Sequence, residues 1–348
     1  MSELSRPSGL SPKRGPWNLA ELKGREPSDL TAFSCFHCGG GSTMGYKLAG
    51  FDVLGGVEID PEMMQMYRAN HRPEHSYLMG VQEFNQLDLE TIPDALKNLT
   101  LLDGSPPCSV FSTAGAREKK WGKEHKFREG QKKQRLDDLF MHFIEVAERL
   151  QPKVVVAENV KGLLTGKARG YVKEIFAAFR GAGYRPQLFL LNGAKMGVPQ
   201  ARPRTFFVAS REDLDLPKIR LEYDEPLVTL REALEGTSPK GAKPLGPKAH
   251  KYWKNTQRGD DFAKAAEGSW FTWQRLSWER PAPTVVSGSP PCHPDEPRHL
   301  SPSETIRVQS FPDDYDFKGK DPNYVCGMSV PPFMTQRVAL AIREQWLR

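Results

Sequence analysis

Cysteine is scarce in this chain: five in 348 residues, at positions 35, 38, 108, 292 and 326. They are too few and too scattered for a disulfide framework, so a special cysteine here suits a nucleophile better than a bridge. Long apolar runs are absent as well. No stretch approaches the roughly 18 residues that span a bilayer, and residues 1–23 are polar where a signal peptide needs an apolar centre. A cytoplasmic protein is the expectation. Neither sign of charge dominates: 49 Lys and Arg oppose 43 Asp and Glu for a net charge of +6, which fits a polyanionic partner without requiring one. Metal-ligand pairs are missing too. Cys35-Phe36-His37-Cys38 begins like a zinc or redox site, but no second pair follows at ligand spacing and Cys292-His293 is a lone dipeptide, so no metal is expected.

What is present reads as an α/β protein of one or two domains. Residues 1–29 carry Pro7, Pro12, Pro16 and Pro27 without an apolar period and are expected to form a flexible or loosely docked extension. From residue 30 to about 210, short apolar runs at 53–57, 99–102, 154–157, 188–191 and 205–209 suit buried strands. Helical patterns at 137–150 and 171–180 lie between some of them, the rhythm of a doubly wound sheet. From 211 to 317 the sequence turns irregular and rich in Pro, Gly and Lys, suggesting a second, smaller domain. Periodic sequence returns after Ser301, and 318–348, with a closing helix at 336–347, is expected to rejoin the first domain.

Several segments carry chemistry. Gly39-Gly40-Gly41 follows a candidate first strand, and Glu58 stands 18 positions beyond Gly40 at the end of the second. Such glycines let a ligand approach the backbone, and such a carboxylate can accept both ribose hydroxyls; the triplet lacks the pyrophosphate-binding spacing, so an adenosine without pyrophosphate fits better. A packing role for the glycines is the alternative. Cys108 follows Pro106-Pro107 after another strand, where the prolines fix a turn and project the next side chain; a buried structural cysteine is the competing reading of that segment alone. Glu158-Asn159 ends the strand at 154–157, and Gln200-Ala201-Arg202-Pro203-Arg204 adds two guanidinium groups that can stabilise a developing anion.

Taken in order, these blocks resemble the cytosine-C5 DNA methyltransferase family. The resemblance rests on Phe36 with Gly40, Gly41 and Gly45; Glu58-Ile59-Asp60; Pro106-Pro107-Cys108; Glu158-Asn159-Val160; and Gln200, Arg202 and Arg204. It continues through Arg280-Pro281-Ala282-Pro283-Thr284, the stretch from Leu300 to Pro312, and Gly327 with Val330-Pro331-Pro332. It implies a Rossmann-like S-adenosylmethionine-dependent methyltransferase sheet with an irregular target-recognition domain over 211–317. Cys108 would be the nucleophile, Glu158 the acid at the cytosine ring, Arg202 a cation that helps ionise the thiol, and Arg204 the group that holds the ring oxygen. Phe36, Gly40, Gly41, Glu58, Ile59, Pro106 and Val330 would line the S-adenosylmethionine site. Pro107, Asn159, Gln200, Lys119, Lys120, Lys251 and Lys254 would face the substrate. Lys119 and Lys120 belong to a basic, glycine-containing stretch after Cys108 that suits a closing loop; Lys251 and Lys254 belong to a run from Lys240 to Arg258 that contains no acid. The expected partner is double-stranded DNA, with a cognate restriction endonuclease as a companion and a monomer as the working state.

The chain departs from the family pattern mainly around the cofactor. Ser34 stands in place of an acid, Cys38 in place of a glycine, residues 79–81 lack the usual acid, and Met328 follows Gly327 where Asn is usual; Ser109 replaces a Gln after the nucleophile. A modified analogue of S-adenosylmethionine is therefore the alternative cofactor. Two other functions compete: a tRNA cytosine-C5 methyltransferase using the same chemistry, against which the basic 211–270 stretch argues for duplex DNA, and a non-catalytic DNA-binding paralogue, against which Cys108, Glu158 and Arg204 argue.

Overall fold

The computed structural model describes residues 11–107, 138–165, 168–266, 273–288 and 291–348, together with two short backbone strands, Glu124–His125 and Gln134–Arg135. Cys108, Lys119 and Lys120 lie outside the described residues. The centre of the molecule is a seven-stranded sheet. In chain order its strands are β1 Thr31–Cys35, β2 Asp52–Glu58, β3 His75–Leu78, β4 Leu101–Gly104, β5 Val154–Val160, β6 Tyr184–Asn192 and β7 Pro203–Arg211. Their spatial order is β3-β2-β1-β4-β5-β7-β6. The contacts from β3 through β5 are parallel, and β7 runs antiparallel to both β5 and β6.

The continuous apolar runs arise because both faces of this sheet are covered. Alternate residues enter opposite layers: Ala32, Leu101, Val154, Val156, Phe206 and Val208 join one core, while Phe33, Leu102, Val155, Ala157, Phe207 and Ala209 join the other. The first layer is completed by α1 (Gly41–Leu48), α2 (Pro61–His71) and the C-terminal helix Pro332–Trp346. The second holds α3 (Leu139–Leu150) and α4 (Ala168–Gly181), whose Phe143, Ile144, Ile175 and Phe179 are buried. The closing helix starts four residues earlier than its apolar period suggests, because Pro332 occupies the first helical position, where its missing N–H and fixed φ cost nothing.

Residues 11–29 are anchored by Trp17, 2% exposed within the first core. Its indole nitrogen donates to the Ser310 carbonyl, and Asp314 accepts the amides of Leu19 and Ala20. Between 211 and 317 regular structure is sparse, as its composition suggested. Two small apolar clusters hold it: one around Leu230, Leu276, Val285 and Leu300, the other around Leu245, Trp253, Phe262 and Cys292. Ile219 and Leu221 near its start, and Phe311 and Phe317 at its end, pack into the first sheet core. Among the described residues no helix is long and apolar enough to cross a membrane.

Candidate active site

The parallel strands β1, β2, β4 and β5 end on one edge of the sheet, which gathers four loops: the glycine turn, Glu58-Ile59-Asp60, Ser105-Pro106-Pro107 and Glu158-Asn159-Val160. Because β7 runs the other way, its first residues reach the same edge, with Arg204 opposite Val160 and Phe206 opposite Glu158. Arg204 Nε lies 2.9 Å from Glu158 Oε1, both side chains being nearly buried. Burial pushes the Glu158 carboxyl above the usual range, and Arg204, Arg202 and a hydrogen bond from Ser105 offset only part of that rise. Glu158 is therefore a carboxyl group that takes up a proton more readily than an exposed glutamate, one strand from the turn that leads into Cys108.

That turn is fastened from β5. Asn159 Nδ2 donates to the Pro106 carbonyl at 3.3 Å, and its Oδ1 accepts the Val160 amide. Asn159 is 3% exposed, and through these two bonds its amide ties the end of β5 to the Pro106 turn. Pro106 is buried and Pro107 half-buried.

Arg202 and Gln200 are both tied to backbone groups of neighbouring segments. Arg202, 2% exposed, donates from Nη1 to the Val285 carbonyl at 2.8 Å and from Nη2 to the carbonyls of Gly327 (2.8 Å) and Ser329 (3.0 Å). Gln200, fully buried, donates to Val308 and to the Gln309 side chain and accepts the Val285 amide. Arg202 lies near enough to lower the Glu158 carboxyl, but its Nη donors clamp segments 285 and 327–329 onto the sheet. Arg202→Met should strand those carbonyls and lower unfolding free energy by roughly 3–5 kcal/mol, read by denaturant melts. Lost activity with unchanged stability would return Arg202 to the chemistry.

On the other side of β1, Phe36 and Cys38 adopt left-handed backbone conformations, with φ of 56° and 48°, uncommon for residues with a side chain. Phe36 is half-buried, and its amide donates to the Val57 carbonyl at 2.9 Å. The turn directs the Cys38 amide onto Glu58 Oε2 at 3.0 Å, while the Asp60 amide takes Oε1 at 3.0 Å. Burial raises the Glu58 carboxyl to about 6 against the pull of these amides. Ile59, half-buried, follows it. A side chain at Gly40 would overlap the His71 ring, and one at Gly41 the Val330 carbonyl; Val330 therefore backs the turn from behind. Beneath it His37 stacks on Tyr67 with centroids 3.7 Å apart, and burial pushes His37 down to about 3, so it is neutral. Among the described residues no group of three or more His, Cys, Asp or Glu is placed to hold a metal ion.

Asp103 was missed in the sequence because the apolar run on its strand stops at Leu102. Its carboxylate accepts from Ser34 Oγ and Ser42 Oγ at 2.7 Å each and from the Tyr46 hydroxyl at 3.0 Å. Far from this edge in sequence, helix Pro247–Asn255 turns Ala249 and Trp253 inward and leaves Lys251 and Lys254 exposed. Trp253 is held by the His293 carbonyl and by the Arg275 guanidinium, 4.0 Å from its ring centroid.

A family model described as C-5 cytosine-specific DNA methylase matches residues 30–344. The chain belongs to that family. As a DNA (cytosine-5-)-methyltransferase it has relatives named as Type II methyltransferases of restriction–modification systems. M.NgoPII of Neisseria gonorrhoeae is 25% identical over 90% of this chain and 96% of that protein. M.BspRI of Lysinibacillus sphaericus is 30% identical over 84% of this chain and 70% of that protein. Among solved structures, one described as a DNA modification methyltransferase encoded within an E. coli prophage superposes with a TM-score of 0.73 at 22% identity, covering 92% of this chain and all of the other. A Spodoptera frugiperda DNMT2 mutant superposes at 0.63 with 16% identity, over 90% and 99% of the two chains. These superpositions show the methyltransferase fold. The family uses S-adenosylmethionine and acts on DNA.

Proposed function

We propose that this methyltransferase modifies C5 of a cytosine turned out of duplex DNA, through a covalent adduct on Cys108, with S-adenosylmethionine as donor. The observation that carries the reading is the buried Glu158–Arg204 pair, joined through Ser105 to the turn that precedes Cys108. A cytosine in the stack offers only its edges, so the base must leave the helix before a thiolate can reach its face. The Cys108 thiolate then bonds to C6, electron density moves toward C5 and the ring nitrogen N3, and Glu158 supplies the proton at N3. C5 gains a methyl group, for which the donor sulfonium would give up its S–CH3 bond and leave as S-adenosylhomocysteine. Loss of the C5 proton to water, return of the N3 proton to Glu158 and cleavage of the C6–S bond restore the thiolate, the acid and the ring.

Arg204 balances the Glu158 carboxylate before the base arrives; afterwards its guanidinium serves the ring oxygen O2. Glu58 fits a ribose diol: its carboxylate is buried, its hydrogen-bond partners are neutral backbone amides, and each oxygen keeps acceptor capacity. Phe36, Gly40, Gly41, Ile59 and Pro106 would line the rest, with Val330 supporting the turn. The bound cofactor supplies an electrophilic methyl group on a sulfonium.

The 211–317 stretch would read the target, with Lys251 and Lys254 on phosphates and Lys119, Lys120 and Pro107 near the flipped nucleotide. The working unit would be a monomer, paired in its host with an endonuclease of matching specificity. Incubation with duplex DNA and S-adenosylmethionine, followed by nucleoside mass spectrometry, should give 5-methylcytosine. Its absence with folded protein that binds both substrates, or methylation of tRNA alone, would overturn the reading.

A further inference from the structure

Asp103 is a fully buried carboxyl group satisfied by three hydroxyls and by no cation. Ser34 is on β1, directly opposite Asp103 in the β1–β4 register, while Ser42 and Tyr46 lie on α1, the helix that starts at the glycine turn. Two residues beyond Asp103, Ser105 donates its amide to the Cys35 carbonyl and its hydroxyl to Glu158. Between them Gly104 packs against the Phe143 ring, which leaves no room for a side chain. One carboxyl group therefore joins the helix below the cofactor turn to the strand that ends in the nucleophile's turn.

We infer that Asp103 is a positioning residue that holds the glycine turn in register with the Ser105-Pro106-Pro107 turn, so that cofactor and cytosine are presented to each other at reacting distance. The inference rests on the cofactor reading proposed above. Burial lifts Asp103 to about 6, against the pull of Ser42, Ser34 and Tyr46. The titratable groups facing it are Cys35 on β1, Tyr46 on α1, Tyr67 on α2 and Glu158 on β5. For a carboxyl raised in the folded chain, stability is fully present below the ordinary carboxylate range and is lost as pH rises toward 6. The melting temperature of Asp103→Asn, measured against the parent, should therefore rise between pH 4 and pH 7, a trend that a purely space-filling role would not produce.

Because Ser34 and Asp103 are register partners, the carboxyl group can be moved across the gap. Binding of S-adenosylhomocysteine by calorimetry should weaken about tenfold in Asp103→Ser and return to within about threefold of the parent in the double variant Ser34→Asp/Asp103→Ser. Amide exchange at Gly41–Leu48 and at Leu101–Ser105 should quicken together in Asp103→Ser and slow together in the double variant. Unchanged binding in Asp103→Ser, or a folded double variant that recovers neither binding nor protection, would overturn the inference. A parent protein that binds no S-adenosylhomocysteine would instead defeat the cofactor reading, and the exchange and pH measurements would then decide the role of Asp103 by themselves.

Discussion

Replacing Cys108 with Ser should reduce methyl transfer by roughly 10⁴-fold or more while DNA binding changes by no more than about twofold. A serine hydroxyl is far less acidic than a thiol, so the attack on C6 loses its anionic nucleophile. The groups around it remain: Asn159 still holds the Pro106 carbonyl, Ser105 still holds Glu158, and the exposed lysines of helix Pro247–Asn255 do not depend on residue 108. Gel-shift titration and a tritium-transfer assay on the same preparation separate the two effects. Equal loss of binding and turnover would mean that residue 108 supports the fold and not the chemistry.

Glu158→Gln should have the second-largest effect, a fall in turnover of about 10²- to 10⁴-fold. Glutamine matches the shape of the acid and can donate a hydrogen bond to N3, but it cannot deliver a proton. Burial raises the Glu158 carboxyl, with Arg204, Arg202 and Ser105 opposing, so the protonated form persists to higher pH than in an ordinary glutamate. Turnover in the parent should therefore fall on the alkaline side as this group ionises, and that limb should vanish in the variant. The change also leaves the Arg204 guanidinium without its anion in a buried place, so a loss of stability is expected beside the kinetic one. A pH–rate profile of the variant that keeps the parent's alkaline limb would assign that ionisation to another group.

Much of the sheet was legible because strands covered on both faces must be apolar throughout, as 154–157 and 205–209 are. Strand β3 was not, since His75–Leu78 is short, mixed in polarity and at the sheet edge. The direction of β7 was also hidden: an apolar run does not say whether it lies parallel or antiparallel, yet that reversal is what carries Arg204 to Glu158. Trp17 gave no periodicity to read among its prolines, although its buried indole, with Asp314 on the amides of Leu19 and Ala20, docks that segment.

Within the site, residue type and strand-end position single out Glu58, Glu158 and Arg204, which lie together at the carboxyl edge of the sheet. The same signals single out Arg202, Gln200 and Asn159, and each of these also hydrogen-bonds buried backbone. Asp103, by contrast, gave no local signal. Its three hydroxyl partners come from β1 and α1, about 60 to 70 positions earlier in the chain, and no local pattern announces such a convergence.

The most direct test of the account uses a duplex in which the target cytosine carries fluorine at C5. Methyl transfer would leave no proton at C5 to remove, so the C6–S bond could not break and the enzyme should remain attached to the DNA. With S-adenosylmethionine present, mass spectrometry of the digested complex should find the nucleotide on the peptide containing Cys108, and Cys108→Ser should form no such complex. A covalent complex through any other residue, or 5-methylcytosine formed in ordinary duplex without trapping on the fluorinated one, would contradict attack by Cys108.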